Sequence, residues 1–265
     1  MNFEYISSKD NKLIKSVRRL MSSARERREQ GVFVLEGLRL CADAAFSNYT
    51  IETVIISETV NESERLSAVL AAAKTAVRVP DSLFGSFCDT VTPQGVLCIV
   101  KRPVEISVET IESGKYIMLE NTADPANLGA IARTAEAFGI SGIIVSNVSC
   151  DLFSPKSQRA AMGALLRMPV IQSKDIIEDI RLLKSKGFKV FASVVKNADC
   201  VVTKADFSGD CAVIIGNEAN GLSDSAIFES DVKVTIPMNG RAESLNAAAA
   251  ASVLMWEMVR FEGGQ

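Results

Sequence analysis

The stretch YIMLENTADPANLGAIARTAEAFG, residues 116–139, shows the pattern from which the rest of the fold can be predicted. Its apolar start, 116–120, is typical of a buried strand, and an Asp-Pro turn follows. A helix is predicted from about Leu128 to Phe138, with Asn127 in the position of its N-cap. A strand that passes directly into a helix is the repeating unit of α/β proteins with a parallel sheet.

The same alternation extends along the chain in both directions. Before this stretch, strands are predicted over 32–35, 53–57, 77–79 and 95–100, with helices over 37–46 and 62–74. After it, strands are predicted over 142–146, 168–171, 189–195, 211–215 and 232–236, with helices over 155–167, 175–186 and 244–261. We therefore predict a smaller N-terminal α/β domain over 1–100, a linker over 101–114, and a larger parallel-sheet α/β domain over 115–265.

Composition limits the chemistry available to the protein. The 265 residues include no histidine, which excludes a Ser-His-Asp relay and any histidine-ligated metal. The six cysteines lie at least ten positions apart, so we predict reduced structural thiols and no metal site. The polar N-terminus has no apolar signal segment and no apolar run is long enough to span a membrane, which predicts a cytoplasmic location.

Charge is distributed unevenly along the chain. The net charge is −3, but residues 1–30 carry +4 and the remaining residues carry −7. Leu13, Val17 and Leu20 follow each other at helical spacing with basic residues between them. This basic helix is either an ordinary solvated surface or a local contact for a polyanion such as RNA.

Polar loops follow several predicted strands, at the edge of a parallel sheet where ligands bind. The first loop leads into a helix of small apolar residues in which Arg133 is the conspicuous charge, so we expect this side chain to be partly desolvated and paired with an anion. That anion is either a carboxylate of the protein, such as Glu136 or Glu218, or a phosphate or developing oxyanion of a substrate.

Two further loops carry unusual residue patterns. In IIGNEANGLS, residues 214–223, two glycines allow either a plain tight turn or a close approach to a ligand, and Ser223 is predicted to cap a helix. In VTIPMNGRAESLN, residues 234–246, the polar residues Ser244 and Asn246 stand at a predicted helix start, where backbone donors are free for an anion.

Taken in order, DPxNLGxxxRTA, GNExxGLS and IPMxGxxxSLN resemble the three signature motifs of the SpoU (TrmH-like) RNA 2′-O-ribose methyltransferases of the SPOUT superfamily. The resemblance covers about residues 115–262. The segment 30–100, with FVLEGLR at 33–39, is similar to the small ribosomal-protein-like domain that many members use to bind RNA.

The resemblance implies a fold, a reaction and an assembly. It implies a C-terminal trefoil knot, homodimers with active sites near the dimer interface, and methyl transfer from S-adenosylmethionine to a ribose 2′-hydroxyl. Ribosomal RNA is the favoured substrate because an N-terminal RNA-binding domain suggests recognition of a folded RNA by its shape, and transfer RNA is the alternative.

The resemblance also predicts the site residues. The predicted catalytic residues are Arg133, Asn127, Glu218, Ser244 and Asn246. The predicted cofactor-binding residues are Gly216, Ile236, Leu245, Ser193 and Met238. The predicted RNA-binding residues are Arg18, Arg19, Arg39, Lys156 and Arg159.

Arg133 is predicted to act as a cation, because an arginine in a protein is effectively always protonated and so cannot serve as a general base. Two other classes of protein are weighed against a methyltransferase. A non-catalytic RNA-binding protein on the same fold is disfavoured by the intact polar motif residues. A nucleotide-dependent oxidoreductase is disfavoured because no strand is followed by G-x-G-x-x-G.

Overall fold

A computed structural model describes residues 3–47 and 49–260 of the chain. The strands are β1 (Glu4–Tyr5), β2 (Val32–Glu36), β3 (Ile51–Ser57), β4 (Ala73–Val79), β5 (Val96–Lys101), β6 (Lys115–Leu119), β7 (Gly142–Ser146), β8 (Val170–Ser173), β9 (Lys189–Ser193), β10 (Cys200–Val201), β11 (Cys211–Ile215) and β12 (Val232–Thr235). The helices are α1 (Lys12–Ser22), α2 (Ala24–Gln30), α3 (Leu38–Phe46), α4 (Glu64–Ala72), α5 (Asp81–Gly85), α6 (Pro125–Ala137), α7 (Pro155–Ala161), α8 (Ala164–Arg167), α9 (Ile176–Ser185), α10 (Asp224–Glu229) and α11 (Ala247–Val259).

These elements form two compact units. The first contains the described residues up to Val104 together with Asp151–Leu166, and the second contains Glu105–Cys150 together with the described residues from Arg167 onward. This division differs from the predicted one at two places. Residues 151–166, predicted to belong to the second domain, pack in the first unit, and Val108 and Ile111 of the predicted linker are buried in the core of the second. Local sequence patterns predict elements, but they do not specify the sheet against which an element packs.

The first unit is built on a five-stranded mixed sheet in the order β1-β4-β3-β5-β2. Strand β5 runs antiparallel to both of its neighbours, β3 and β2. Helix α1 packs Ile14, Val17 and Leu20 into the core and leaves its basic residues toward the outside, as its amphipathic pattern predicts.

Part of the basic N-terminal segment is internal to this unit. Arg27 is 4% exposed, and its guanidinium lies 2.6 Å from a carboxylate oxygen of Asp151 and also donates to the carbonyl groups of Leu20 and Met21. A buried arginine needs such partners, because an unpaired buried charge is strongly unfavourable. Arg27 therefore stabilises the interior of the first unit and does not add to the basic surface of the N-terminal segment.

The second unit contains a seven-stranded sheet in the order β10-β12-β9-β11-β6-β7-β8, and every pairing between its strands is parallel. Strand β11 lies between β9 and β6 and is buried over its whole length, as its all-apolar sequence predicts. The predicted α/β class with a parallel sheet is confirmed. The trefoil knot stays a prediction.

Two helices begin or end at positions that differ from the predicted ones. Helix α6 begins at Pro125, and Asp124 caps it by accepting from the backbone N–H of Ala126, so the predicted N-cap at Asn127 was wrong. Proline is favoured in the first turn because its missing N–H would be unpaired there anyway. The predicted helix over 155–167 is interrupted after Ala161, where Met162 takes a positive φ of 50°.

The cysteines, the helices and the potential metal ligands add three further observations. None of the six cysteines forms a disulfide, and burial raises the pKa of the Cys88 thiol to about 12. No described helix is long and apolar enough to cross a membrane. Within the part of the chain that the structure describes, no three or more histidine, cysteine or carboxylate side chains are grouped to hold a metal ion.

Candidate active site

The polar loops lie together at the carboxyl edge of the seven-stranded sheet. Glu120, directly after β6, is 5% exposed, and its carboxylate accepts from the backbone N–H of Ser223 at 2.8 Å and from the Ser223 hydroxyl at 2.7 Å. Ser223 is also the N-cap of α10, as predicted. The side-chain amide of Asn217 donates to the carbonyl of Asn121 at 2.8 Å. The loops after β6 and β11 are therefore held to each other by three hydrogen bonds.

Three predicted catalytic residues, one from each motif, form a hydrogen-bonded polar cluster. The Asn127 side-chain amide donates to Glu218 Oε1 at 2.6 Å, and Asn127 Oδ1 accepts from Asn246 Nδ2 at 2.9 Å. Asn127 is 8% exposed, whereas Glu218 and Asn246 are exposed. Since Asn246 Oδ1 also caps α11 through the backbone N–H groups of Ala248 and Ala249, the cluster is anchored to a helix start.

The loop after β11 folds back on itself at Gly216. Asn217 and Gly221 exchange backbone hydrogen bonds at 3.0 and 2.8 Å, which brings the returning chain over Gly216. A Cβ atom at Gly216 would lie 2.2 Å from the carbonyl carbon of Gly221 and 2.3 Å from the nitrogen of Leu222. Only glycine permits this approach of two backbone segments.

A cavity of about 460 Å³ opens beside this loop at the ends of β9 and β11. Its lining includes Ser193, Gly216, Glu218, Ser244 and Leu245. A smaller cavity at the end of β12 shares Ser193, Ser244 and Leu245 and adds Ile236 and Met238. The five predicted cofactor-binding residues thus all line this pair of adjoining cavities, which we call the motif cavity.

Arg133 does not meet the expectation of partial desolvation. It is exposed on α6, and no hydrogen bond or ion pair joins it to any described residue. Glu136 instead pairs with Arg167, whose hydrogen bond and charge lower the pKa of the Glu136 carboxyl, while Glu218 accepts from Asn127. Neither carboxylate is the partner of Arg133, because the helical period turns position 133 to the solvent face.

The predicted RNA-binding residues all lie in the first unit, in different environments. Arg18 donates to the Ser86 hydroxyl at 2.9 Å, and Arg19 lies 3.8 Å from Glu26. Arg39 is exposed and has no hydrogen bond or ion pair with any described residue, and Lys156 is exposed on α7. Arg159 is engaged with the carboxylate of Asp89 at 2.5 Å.

Sequence reasoning did not single out some residues that the site uses. Glu120 and Asn217 join two loops, and Leu222 and Ile227 supply apolar lining to the motif cavity. A signal for Glu120 existed, since a carboxylate that directly follows an apolar strand is placed at the edge where ligands bind. Asn217 and Leu222 stand within the motif GNExxGLS, which is their signal. For Ile227 the sequence offers no signal, because an apolar residue in this position is equally typical of core packing.

Two family models match this chain, one in each part of it. Residues 114–256, more than half of the chain, match the model of the SpoU rRNA Methylase family. The chain belongs to this family. Residues 11–98 match the model of the MRM3-like substrate binding domain. The predicted resemblance is confirmed for both parts of the SpoU-family chain.

Relatives of this SpoU-family protein match it over most of its length. It is 26% identical over 253 residues to the 23S rRNA (guanosine(2553)-2′-O)-methyltransferase RlmP of Bacillus subtilis, covering 96% of this chain and 98% of that protein. It is 28% identical over 249 residues to the 23S rRNA (uridine(2479)-2′-O)-methyltransferase of Streptomyces viridochromogenes, covering 91% of this chain and 87% of the relative.

A solved structure that aligns over nearly the full chain shows that the fold is similar as well. The AdoMet-bound rRNA methyltransferase from Sinorhizobium meliloti aligns with a TM-score of 0.87 and 28% identity, covering 98% of each chain. The alignment covers residues of both units, so the likeness is not limited to the methyltransferase motifs.

Proposed function

We propose that this SpoU-family protein transfers a methyl group from S-adenosylmethionine to the 2′-hydroxyl of a ribose in ribosomal RNA. The observation that carries the proposal is the polar cluster of Asn127, Glu218 and Asn246, which joins the three motifs beside the motif cavity. The relatives named for 23S rRNA 2′-O-methylation and the AdoMet-bound structural neighbour support the same reaction here.

The motif cavity has the character of a site for S-adenosylmethionine. Its volume lies within the range of about 300–1,000 Å³ that small-molecule sites occupy. Gly216, Ile236 and Leu245 offer it backbone donors and acceptors, while Ser193 and Met238 add side-chain contacts. When bound, S-adenosylmethionine supplies a methyl group on a positively charged sulfonium sulfur, which a nucleophilic oxygen can attack.

The polar cluster is placed to receive the ribose. Asn127 donates to one carboxylate oxygen of Glu218 and leaves the other for the ligand, and the exposed residues Glu218 and Ser244 both line the motif cavity. Holding the ribose in one orientation before the reaction lowers the barrier by removing freedom of movement in advance.

Arg133 is proposed to stabilise the negative charge that develops on the ribose oxygen as its proton leaves. Its guanidinium is permanently protonated and presents a planar fork, which also suits an adjacent RNA phosphate. The proton passes to phosphate or water, the ribose oxygen forms its bond to the methyl carbon, and the carbon–sulfur bond of the cofactor breaks. Free of protein partners among the described residues, Arg133 remains available for this substrate contact.

A homodimer is proposed from the exposed surface of α6 and α11. These helices pack through Thr134 and Ser252, whose hydroxyls lie 3.3 Å apart, and through the rings of Phe138 and Trp256. The outward stripes of the two helices carry small or apolar residues and one arginine: Ala126, Ala130, Arg133, Ala137, Ala249, Val253 and Trp256. A second copy seated on this surface would bury Val253 and Trp256 and enclose Arg133.

The first unit is proposed to bind the RNA substrate. Its match to a substrate-binding domain model supports this role, and Arg18, Arg19 and Lys156 are partly or fully exposed for phosphate contacts. A ribosomal RNA substrate and six reduced cysteines together support a cytoplasmic location.

The test is transfer of a tritiated methyl group from S-adenosylmethionine to purified ribosomal RNA and, in parallel, to transfer RNA, followed by mapping of the modified nucleotide. We expect one 2′-O-methylated nucleotide in ribosomal RNA. Labelling of transfer RNA alone would show that transfer RNA, and not ribosomal RNA, is the substrate. Absence of both labelling and calorimetric binding of S-adenosylmethionine would favour a non-catalytic RNA-binding protein.

A further inference from the structure

A second cavity, entirely within the first unit, lies outside the motif cavity. It has a volume of about 290 Å³ and opens at the carboxyl end of β2. Its lining comes from three places in the chain: the end of β2 with the start of α3, the segment before β5, and the end of α7. The lining residues are Glu36, Gly37, Arg39, Leu40, Thr90, Thr92, Gln94, Arg159 and Met162.

The framework of this cavity is held by a buried carboxylate. Glu36 is 6% exposed, accepts from the backbone N–H groups of Asp89 at 3.1 Å and Thr90 at 3.3 Å, and also accepts from the Thr90 hydroxyl. One guanidinium nitrogen of Arg159 lies 3.6 Å from Glu36, and the other pairs with Asp89. Glu36 and Asp89 therefore occupy the guanidinium of Arg159, and these three residues fix the wall of the cavity.

The groups left for a ligand are mixed in character. Leu40 and the exposed side chain of Met162 give apolar surface, while Thr92 and Gln94 give neutral hydrogen-bonding groups. Met162 is held in a left-handed conformation that few side chains adopt, at the point where α7 stops. Apolar surface combined with neutral polar groups is suited to a nucleobase, which has apolar faces and polar edges.

A free cation stands at the rim of this cavity. Arg39 is exposed and has no partner among the described residues, and it lies in the first turn of α3. The N-cap, Gly37, has no side chain to cap the helix, and Gln94 accepts only from the backbone N–H of Leu38. The backbone N–H groups of Arg39 and Leu40 in this first turn therefore add to the positive charge of the Arg39 side chain. Such an arrangement favours binding of a phosphate group.

From these observations we infer that the first unit captures one unpaired RNA nucleotide in this cavity, with its base between Leu40 and Met162 and its phosphate on Arg39. The inference rests on the proposed function, because it names how the RNA substrate is held. The small volume suits a single extruded base better than a duplex, and a base must be unpaired to enter.

The experiment compares two RNA probes of equal length: a hairpin with an unpaired loop, and the same stem closed into a continuous duplex. The wild-type protein is expected to bind the looped probe more tightly. Arg39→Ala should weaken its binding by about tenfold, the size of one charge-assisted hydrogen bond. Thr92→Trp, which fills the cavity from an exposed position, should abolish the preference for the loop.

The matched control is Arg65→Ala. Arg65 is an exposed arginine on α4 of the same unit. It has no hydrogen bond or ion pair with any described residue and does not line the cavity, so the loop preference should persist in this variant. A looped probe containing 4-thiouridine should crosslink under ultraviolet light to residues 90–94 or 159–162, as read by mass spectrometry of the peptides.

The outcomes separate this inference from the proposed function. Equal binding of looped and closed probes by the wild type, or an unchanged preference in both Arg39→Ala and Thr92→Trp, would overturn the nucleotide pocket even if the enzyme methylates ribosomal RNA. Loss of the preference in both variants and crosslinks at the cavity would support the pocket even if no methyl transfer were found.

Discussion

Asn127 is the residue around which the polar part of the candidate site is arranged. Its amide both donates to Glu218 and accepts from Asn246, so one buried side chain sets the orientation of two exposed ones. A buried amide with both ends satisfied is rigid, because losing either hydrogen bond would leave a polar group unpaired. Arg133 contrasts with it: the side chain is exposed and no described residue orients it.

This difference gives a prediction for Arg133. Arg133→Ala should leave folding and S-adenosylmethionine binding unchanged, since no described residue depends on the side chain, but methyl transfer should fall by about 10²–10³-fold, the typical effect of removing one stabilising group from a transition state. The methyl-transfer rate of Arg133→Lys should lie between those of the wild type and Arg133→Ala, because lysine keeps the positive charge but loses the planar fork of the guanidinium.

Single-turnover methyl transfer and calorimetry with S-adenosylmethionine measure the two effects separately. Arg65→Ala removes an exposed arginine from α4 and serves as the control with wild-type activity. Full activity of Arg133→Lys would refute a contact in which both guanidinium N–H groups of the fork bind the RNA. Full activity of Arg133→Ala would show that Arg133 has no role in catalysis.

At the scale of elements, the loop after β11 shows how a short segment forms the wall of a ligand site. Strand β11 is buried over its whole length, which fixes the position where the loop begins. The backbone exchange between Asn217 and Gly221 then folds the loop tightly over Gly216. The glycine spacing in the sequence was consistent with a plain turn or a ligand loop, and the structure shows that the turn itself lines the motif cavity.

Gly216→Ala is therefore expected to weaken S-adenosylmethionine binding by at least about tenfold. The added Cβ would lie 2.2 Å from the Gly221 carbonyl carbon, so the loop would have to move away from its present path, and overpacking of this kind costs about 1–3 kcal/mol. Isothermal titration calorimetry gives the affinity, and circular dichroism checks that the variant is folded.

Gly85→Ala is the matched control, because a Cβ at Gly85 would meet no atom within 4 Å, Gly85 has no positive φ, and it lies in the first unit outside the three motifs. Equal cofactor affinity in Gly216→Ala and Gly85→Ala would show that the loop conformation is not needed for binding.

At the scale of the whole molecule, the chain crosses between its two units more than once. It leaves the first unit after Val104, returns to it for Asp151–Leu166 and enters the second again at Arg167. The returning segment is held in the first unit by the ion pair of Asp151 with the buried Arg27 and by the contact of Arg159 with Asp89. The proposed nucleotide pocket depends on this return, because the segment supplies both Arg159 and Met162.

The proposed homodimer also belongs to this scale. Val253→Glu places a charge in the apolar stripe of α11 and should convert the dimer into a monomer, since burying an unpaired carboxylate in an interface is unfavourable. Methyl transfer should be lost together with the dimer if Arg133 acts within that interface.

Sedimentation velocity at the concentration of the activity assay provides the measurement. Val148→Glu changes another exposed valine of the second unit, outside the stripe, and should leave both the dimer and the activity intact. A wild-type protein that sediments as a monomer, or a fully active monomeric Val253→Glu, would contradict the proposed interface.

The amino-acid sequence by itself determined the alternation of strands and helices, the α/β class and the family, because these depend on local periodicity and on ordered motifs. It also identified five cofactor-binding candidates that all line the motif cavity, although their binding role stays a prediction. Only the tertiary structure decided that Asn127 bridges Glu218 and Asn246, that Arg133 faces solvent, and that 151–166 packs in the first unit. The physical reason is that these facts depend on contacts between residues far apart in the chain, and a local pattern cannot choose between the partners and surfaces that compete for the same side chain.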